Sequence, residues 1–95
     1  MHHTRLSLHA MCREPAGVIP MLVGEAVQAV GGWVTDVHAY GSLQVVVAFV
    51  IPDGQQHALR RALEAATFQL QESHWEVEGR QGEIAGAITV IPRGN

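Results

Sequence analysis

Arg13-Glu14-Pro15-Ala16-Gly17-Val18-Ile19-Pro20 is the stretch that sets the order of everything around it. Before it, residues 5–12 alternate between apolar and polar side chains. After it, residues 18–30 carry apolar side chains at helical spacing. Pro15 keeps Glu14 out of helical angles and fixes its own φ. Gly17 adopts backbone angles other residues avoid and suits a helix N-cap. Pro20 then falls in the first helical turn, where its missing N–H has no intrahelical partner to lose. The expected structure is a tight strand-to-helix turn with several backbone N–H groups free, able to hold a carboxylate or another small anion. A well-made connection with no ligand explains the same residues with fewer assumptions.

The chain has 95 residues, which points to one domain. Hydrophobic residues make up 47% of it, enough for a core, although a domain of this size gains from a partner chain. The net charge is −3, and all six basic residues are Arg, spread along the chain. No basic stripe exists to favour nucleic acid. No apolar run approaches the ~20 residues of a membrane span, and residues 1–5 lead into no apolar signal-peptide core. The lone cysteine, Cys12, has no internal disulfide partner and fits a reducing compartment, so a cytoplasmic location is expected. The absence of Lys, with abundant Ala, Gly, Val and Arg, points to a GC-rich bacterial genome.

In residues 5–12, Leu6, Leu8, Ala10 and Cys12 face one side, and Arg5, Ser7, His9 and Met11 the other, as in a half-buried strand. Residues 18–30 read as a helix with Val18, Leu22, Ala26 and Ala29 on one face, widened by Val23, Val27 and Val30. Gly31-Gly32 ends it. Residues 33–40 alternate again, with Trp33, Thr35, Val37 and Ala39 against Val34, Asp36, His38 and Tyr40. Gly41-Ser42 turns the chain into residues 43–51, where Val45, Val47, Phe49 and Ile51 oppose Val46, Ala48 and Val50. That is a hairpin whose second strand is apolar on both faces and therefore central. Pro52-Asp53-Gly54 stops it, with Asp53 a plausible N-cap. Residues 55–71 form the clearest helix, marked by Leu59, Ala62, Leu63, Ala66 and Leu70. Two strand-like pieces follow: a short one near 75–78, read as an extra edge strand, and a longer apolar one over 83–91.

The order strand, helix, strand, strand, helix, strand is the ferredoxin-like βαββαβ arrangement of the α+β class. It predicts an antiparallel sheet with two helices on one face and the first and third strands in the middle. The open face then carries Ser7, His9 and Met11 beside Val46, Ala48 and Val50, with Ala85, Ala87, Thr89 and Ile91. That surface is too apolar to be left to water, and a homodimer is the simplest cover.

This order, with its first loop, resembles the ACT domain, a regulatory module that binds amino acids and other small ligands. In that family a strand ends in an acidic residue, followed by a variable residue, Pro and Gly, then an apolar helix. Here Glu14 stands at the acidic position, Pro15 at the variable one, Ala16 where Pro is usual, and Gly17 at the Gly. Val18, Ile19 and Leu22 match the helix start, and Gly32-Trp33-Val34-Thr35-Asp36-Val37 the approach to the second strand. The resemblance spans residues 5–91, so the whole chain, 1–95, is read as a single ACT-like domain. Its departures are the displaced proline and Glu as the acid. It implies a non-catalytic dimer that binds an amino-acid-type ligand at the first loop and acts through a partner protein. The implied contacts are Glu14, Ala16, Gly17 and Val18, with Asp36 and His38 supplied by the second strand of the partner chain.

Other chemistry is less well supported. Of the six His, His2 and His3 are terminal, and none shows His-x3-His spacing or accompanies Cys-x2-Cys, so no metal or cofactor is expected. His9 and His38 share the open face with the third strand between them. Cys12 lies beside Arg13, which favours a thiolate, but its alternation puts it in the core. Asp36 and His38 form an i, i+2 pair of the kind that tunes a general base, with no nucleophile motif to accompany them. Trp33 and Trp75 read as core or interface anchors. The alternatives to the ligand-binding module are a small dimeric ferredoxin-like enzyme of the cofactor-free oxygenase or isomerase kind, with a pocket on the sheet face and favoured by a His or Tyr enclosed between sheet and helices, and a purely structural assembly module whose exposed sheet is the binding surface.

Overall fold

The alternation of residues 5–12 produces β1 (Arg5–Cys12), which buries Leu6, Leu8, Ala10 and Cys12 on one side. The computed structural model describes residues 5–71, 74–76 and 82–93. After the loop come α1 (Ile19–Ala29), β2 (Trp33–Tyr40), β3 (Gln44–Pro52) and α2 (Gln56–Ala65). Two short strands, β4 (Gln69–Leu70) and β5 (His74–Glu76), precede the long β6 (Glu83–Pro92).

Both helices pack on one face of the sheet. Ile19, Val23, Ala26 and Val27 of α1 and Leu59 and Leu63 of α2 join a single core with the inward sets of β1, β3 and β6. β3 shows strict alternation, with Val45, Val47, Phe49 and Ile51 buried. The end of α1 follows from its two glycines. Gly31, at φ +87°, donates its N–H to the Gln28 carbonyl, and Gly32 donates to that of Val27. This is the Schellman closure of a helix.

The fold is α+β, but the sheet is mixed rather than antiparallel. Across it the order is β2-β3-β6-β1-β4, with β5 also on β1. The expected adjacency of the first and third strands is overturned: β6 lies between them, antiparallel to β3 and parallel to β1. The reason lies in the side chains of β6. Ile84, Ile88 and Val90 are buried on one face, while Ala85, Ala87 and Thr89 are small on the other. A strand with no charged residue past its first position fits the middle of a sheet better than its edge. Gly86 completes the fit, since a Cβ there would meet the Leu6 carbonyl oxygen at 2.7 Å and Phe49 Cε1 at 3.0 Å.

The extra edge strand is present. β4 and β5 both run antiparallel to β1, pairing Ala10 with Leu70 and Ser7 with His74. Their registers on β1 differ by one residue. Residues 77–78 of the expected short strand lie outside the described residues. The architecture is compatible with a ferredoxin-like fold, yet its strand order and its β1–β6 parallel pair depart from that arrangement.

Three local expectations change. Residues 55–71 are not one helix: α2 ends at Ala65, and Thr67 takes a left-handed φ of 71° before β4. Asp53 is not an N-cap; its carboxylate accepts from the Gln56 side chain at 3.4 Å, and the N-cap position is Gln55. In β2 a register shift between Val34 and Asp36 breaks the alternation. Trp33 therefore shares the open face with Asp36, His38 and Tyr40, because all four pair with open-face positions of β3.

Candidate functional site

β1 and β6 are parallel neighbours, so their carboxyl ends finish side by side, Cys12 opposite Pro92. The ladder runs one step further, with the Arg93 N–H donating to the Cys12 carbonyl at 2.6 Å. The carboxyl edge of parallel strands is where open α/β sheets leave a crevice for ligands. Here it opens into a cleft of about 930 Å³. β1 and its loop contribute Met11, Cys12, Arg13 and Glu14; the end of α2 and the turn after it add Glu64, Thr67 and Phe68. Gln69 and Arg93 complete the lining.

Two guanidinium groups and two carboxylates thus line one cleft. Glu14 is half-buried, whereas Arg13, Glu64 and Arg93 are exposed. None of the four forms an ion pair among the described residues. Arg93 is partly anchored, its Nη1 donating to Met11 Sδ at 3.1 Å. Phe68, buried in the turn, gives the cleft an apolar floor joined to the core. Thr67 stands at the lip in a conformation disfavoured for a β-branched residue, with its hydroxyl donating to the Ala66 carbonyl.

The residues singled out in the sequence divide into two places. Glu14 lines the cleft. Ala16 packs against the core, and Gly17 faces open space. Val18, not Gly17, is the N-cap of α1, and it makes no side-chain cap. The expected free amides are fewer than the sequence implies: the Val18 N–H donates to the Pro15 carbonyl at 3.1 Å and the Ile19 N–H to that of Ala16 at 3.3 Å. Backbone turns inside the loop satisfy what a ligand would otherwise hold.

Asp36 and His38 lie on β2, at the opposite edge of the sheet order from β1's outer side. Asp36 Oδ2 is 2.9 Å from His38 Nε2, and Oδ1 accepts from the Val37 N–H. The His38 ring stacks on Tyr40 with centroids 6.5 Å apart. The pair does not line the cleft, and the chain by itself does not bring it to Glu14. His9 and His38 do share the open face, with both β3 and β6 between them rather than one strand. Among the described residues, no group of three or more His, Cys, Asp or Glu converges as metal ligands require. Cys12 is a buried free thiol.

Arg93 and Glu64 escaped sequence reasoning because their neighbours are set by strand order. Arg13 and Arg93 each follow directly on a strand, Cys12-Arg13 and Pro92-Arg93. That shared placement is a signal only once the two strands are known to be parallel and adjacent. Among the described residues no helix is long and apolar enough to cross a membrane, which leaves β-barrels unaddressed. Comparison with known proteins gives no further guide: no family model, no curated protein and no solved structure matches this chain.

Proposed function

We propose that this chain is a regulatory module on a ferredoxin-like scaffold with one inserted strand, and that it binds an amino-acid-type ligand in the cleft beside Glu14. It acts as a dimer, without catalysis, in a reducing compartment where Cys12 stays a thiol, and passes its state to a partner protein. One observation carries the ligand reading: two Arg and two Glu line a single cleft without pairing among themselves. A zwitterion is the complement of that set. Its carboxylate takes charge-assisted hydrogen bonds from guanidinium, and its ammonium donates to carboxylate. The ligand's side chain then lies towards Phe68, the apolar part of the lining.

A second feature favours binding over catalysis. The enzyme alternative calls for a His or Tyr inside a pocket between sheet and helices. The cleft lies at strand ends, and its described lining includes neither.

Isothermal calorimetry with each common amino acid tests the reading. At least one should bind with saturable heat. Glu14→Gln and Arg93→Gln should each weaken it by roughly 10- to 100-fold, since each removes one hydrogen bond to a charged group. Absence of saturable heat with every amino acid overturns the proposal.

A further inference from the structure

Among the described residues, no element covers the face of the sheet away from the helices. Its centre is formed by Val46, Ala48 and Val50 of β3 and Ala85, Ala87 and Thr89 of β6, which pair directly across the two strands. Ser7 and His9 continue the same rows on β1, and Asp36 and His38 continue them on β2. Among the described residues, the charged and aromatic side chains of this face lie at its border, where Trp33 is 47% exposed and Tyr40 57% exposed along β2. The pattern is an uncharged, small-residued centre inside a polar and aromatic rim, which is the anatomy of a protein interface.

We propose that this open face is a self-association surface, and that a second copy of the chain stacks on it sheet to sheet. The inference rests on the dimeric part of the functional reading and not on its ligand. Size is the first argument. Four strands of eight residues or more, β2, β3, β6 and β1, flanked by the short β4 and β5, make a face of roughly 19 by 26 Å, so two stacked copies cover roughly 1,000 Å², about the least a specific interface needs. Chemistry is the second argument. The central rows offer no charge for an acidic or basic partner to pair with, whereas a two-fold axis lays an uncharged centre on itself without like-charge conflict. Shape is the third. Alanine, valine and threonine let two sheets approach to the ~10 Å spacing of packed sheets, and no long side chain rises from the middle of either β3 or β6.

Sedimentation equilibrium on the full chain, with fold checked by circular dichroism, tests the surface. The native chain should be dimeric in the micromolar range. Ala48→Glu and Ala87→Glu should each weaken the dimer by at least ~100-fold, because two carboxylates are forced into a dry contact. Glu25→Lys, on the exposed side of α1, should leave the dimer unchanged. Should the glutamate variants unfold, the native chain still decides the matter. In NMR with a soluble paramagnetic probe, the Ala48 and Ala87 methyls should be shielded at high concentration and exposed on dilution. A monomer throughout the micromolar range overturns the proposal. So does a dimer whose Ala48 and Ala87 methyls stay exposed, or a monomer that shields them only on adding an unrelated partner. Amino-acid calorimetry is read separately, so failure of the surface and failure of the ligand reading are distinguishable.

Discussion

Gly86→Ala probes the inserted strand from both sides at once. The new methyl would stand 2.7 Å from the Leu6 carbonyl oxygen, 3.0 Å from Leu6 Cβ and 3.0 Å from Phe49 Cε1. The Phe49 ring has room to tilt only within a full core, since the residue is 1% exposed. The Leu6 oxygen belongs to the backbone of β1 and moves only if the β1–β6 ladder moves with it. Overpacking of this kind costs about 1–3 kcal/mol. Alanine recovers about 0.4–1 kcal/mol by restricting the unfolded chain. The net expectation is a loss of about 1–2 kcal/mol, or roughly 5–15 °C in Tm for a domain of this length. Urea unfolding followed by tryptophan fluorescence reads it. Gly17→Ala is the control, since a Cβ there meets nothing within 4 Å, and its stability should stay within about 0.5 kcal/mol of the parent. Replacing Phe49 by Leu in the Gly86→Ala background should recover part of the loss, because one of the three contacts is relieved. The strand order is refuted if Gly86→Ala is as stable as the parent. With β6 on an outer edge, residue 86 would not lie between β1 and β3.

Two further outcomes follow from single residues. Thr67→Gly should raise stability by about 1 kcal/mol, because glycine takes the left-handed φ of 71° without the Cβ clash; a drop in Tm would mean that the Thr67 hydroxyl contributes more than its backbone costs. Asp36→Ala should cost less than about 1 kcal/mol, since the Asp36 and His38 side chains are 59% and 62% exposed and an open pair of this kind is weak; a larger loss in chemical denaturation would show that the β2 pair holds the edge strand in place.

Much of the scaffold is legible in the sequence. The inward sets of β1 and β3 fall where alternation puts them, and Leu59 and Leu63 are buried on the face that helical spacing gives. Both are local patterns, set by the period of one element. The Gly31-Gly32 helix end is equally local. What fails is pairing between distant strands. Nothing in residues 83–91 distinguishes an outer strand from a central one except apolar character on both faces, and that feature, used to place β3 in the middle, applies equally to β6. The end of α2 was missed because Thr67 adopts a conformation for which glycine or asparagine is the usual marker. The Val34–Asp36 register shift was missed because a bulge leaves no mark in an alternation of eight residues. For the site, Glu14 was found from its loop, whereas Arg93 is brought to it by the parallel β1–β6 pair across 79 positions of sequence.

The claim on which the functional account rests is that the charges at the carboxyl ends of β1 and β6, which form no ion pair among the described residues, hold a zwitterion. A two-dimensional NMR titration of the full chain with amino acids measures this directly. The account predicts saturable shifts at the amides of Arg13, Glu14 and Arg93 and at the Arg Nε–H groups, abolished in the Arg13→Gln/Arg93→Gln variant while the rest of the spectrum is kept. Titrations that leave those resonances in place with every amino acid contradict it.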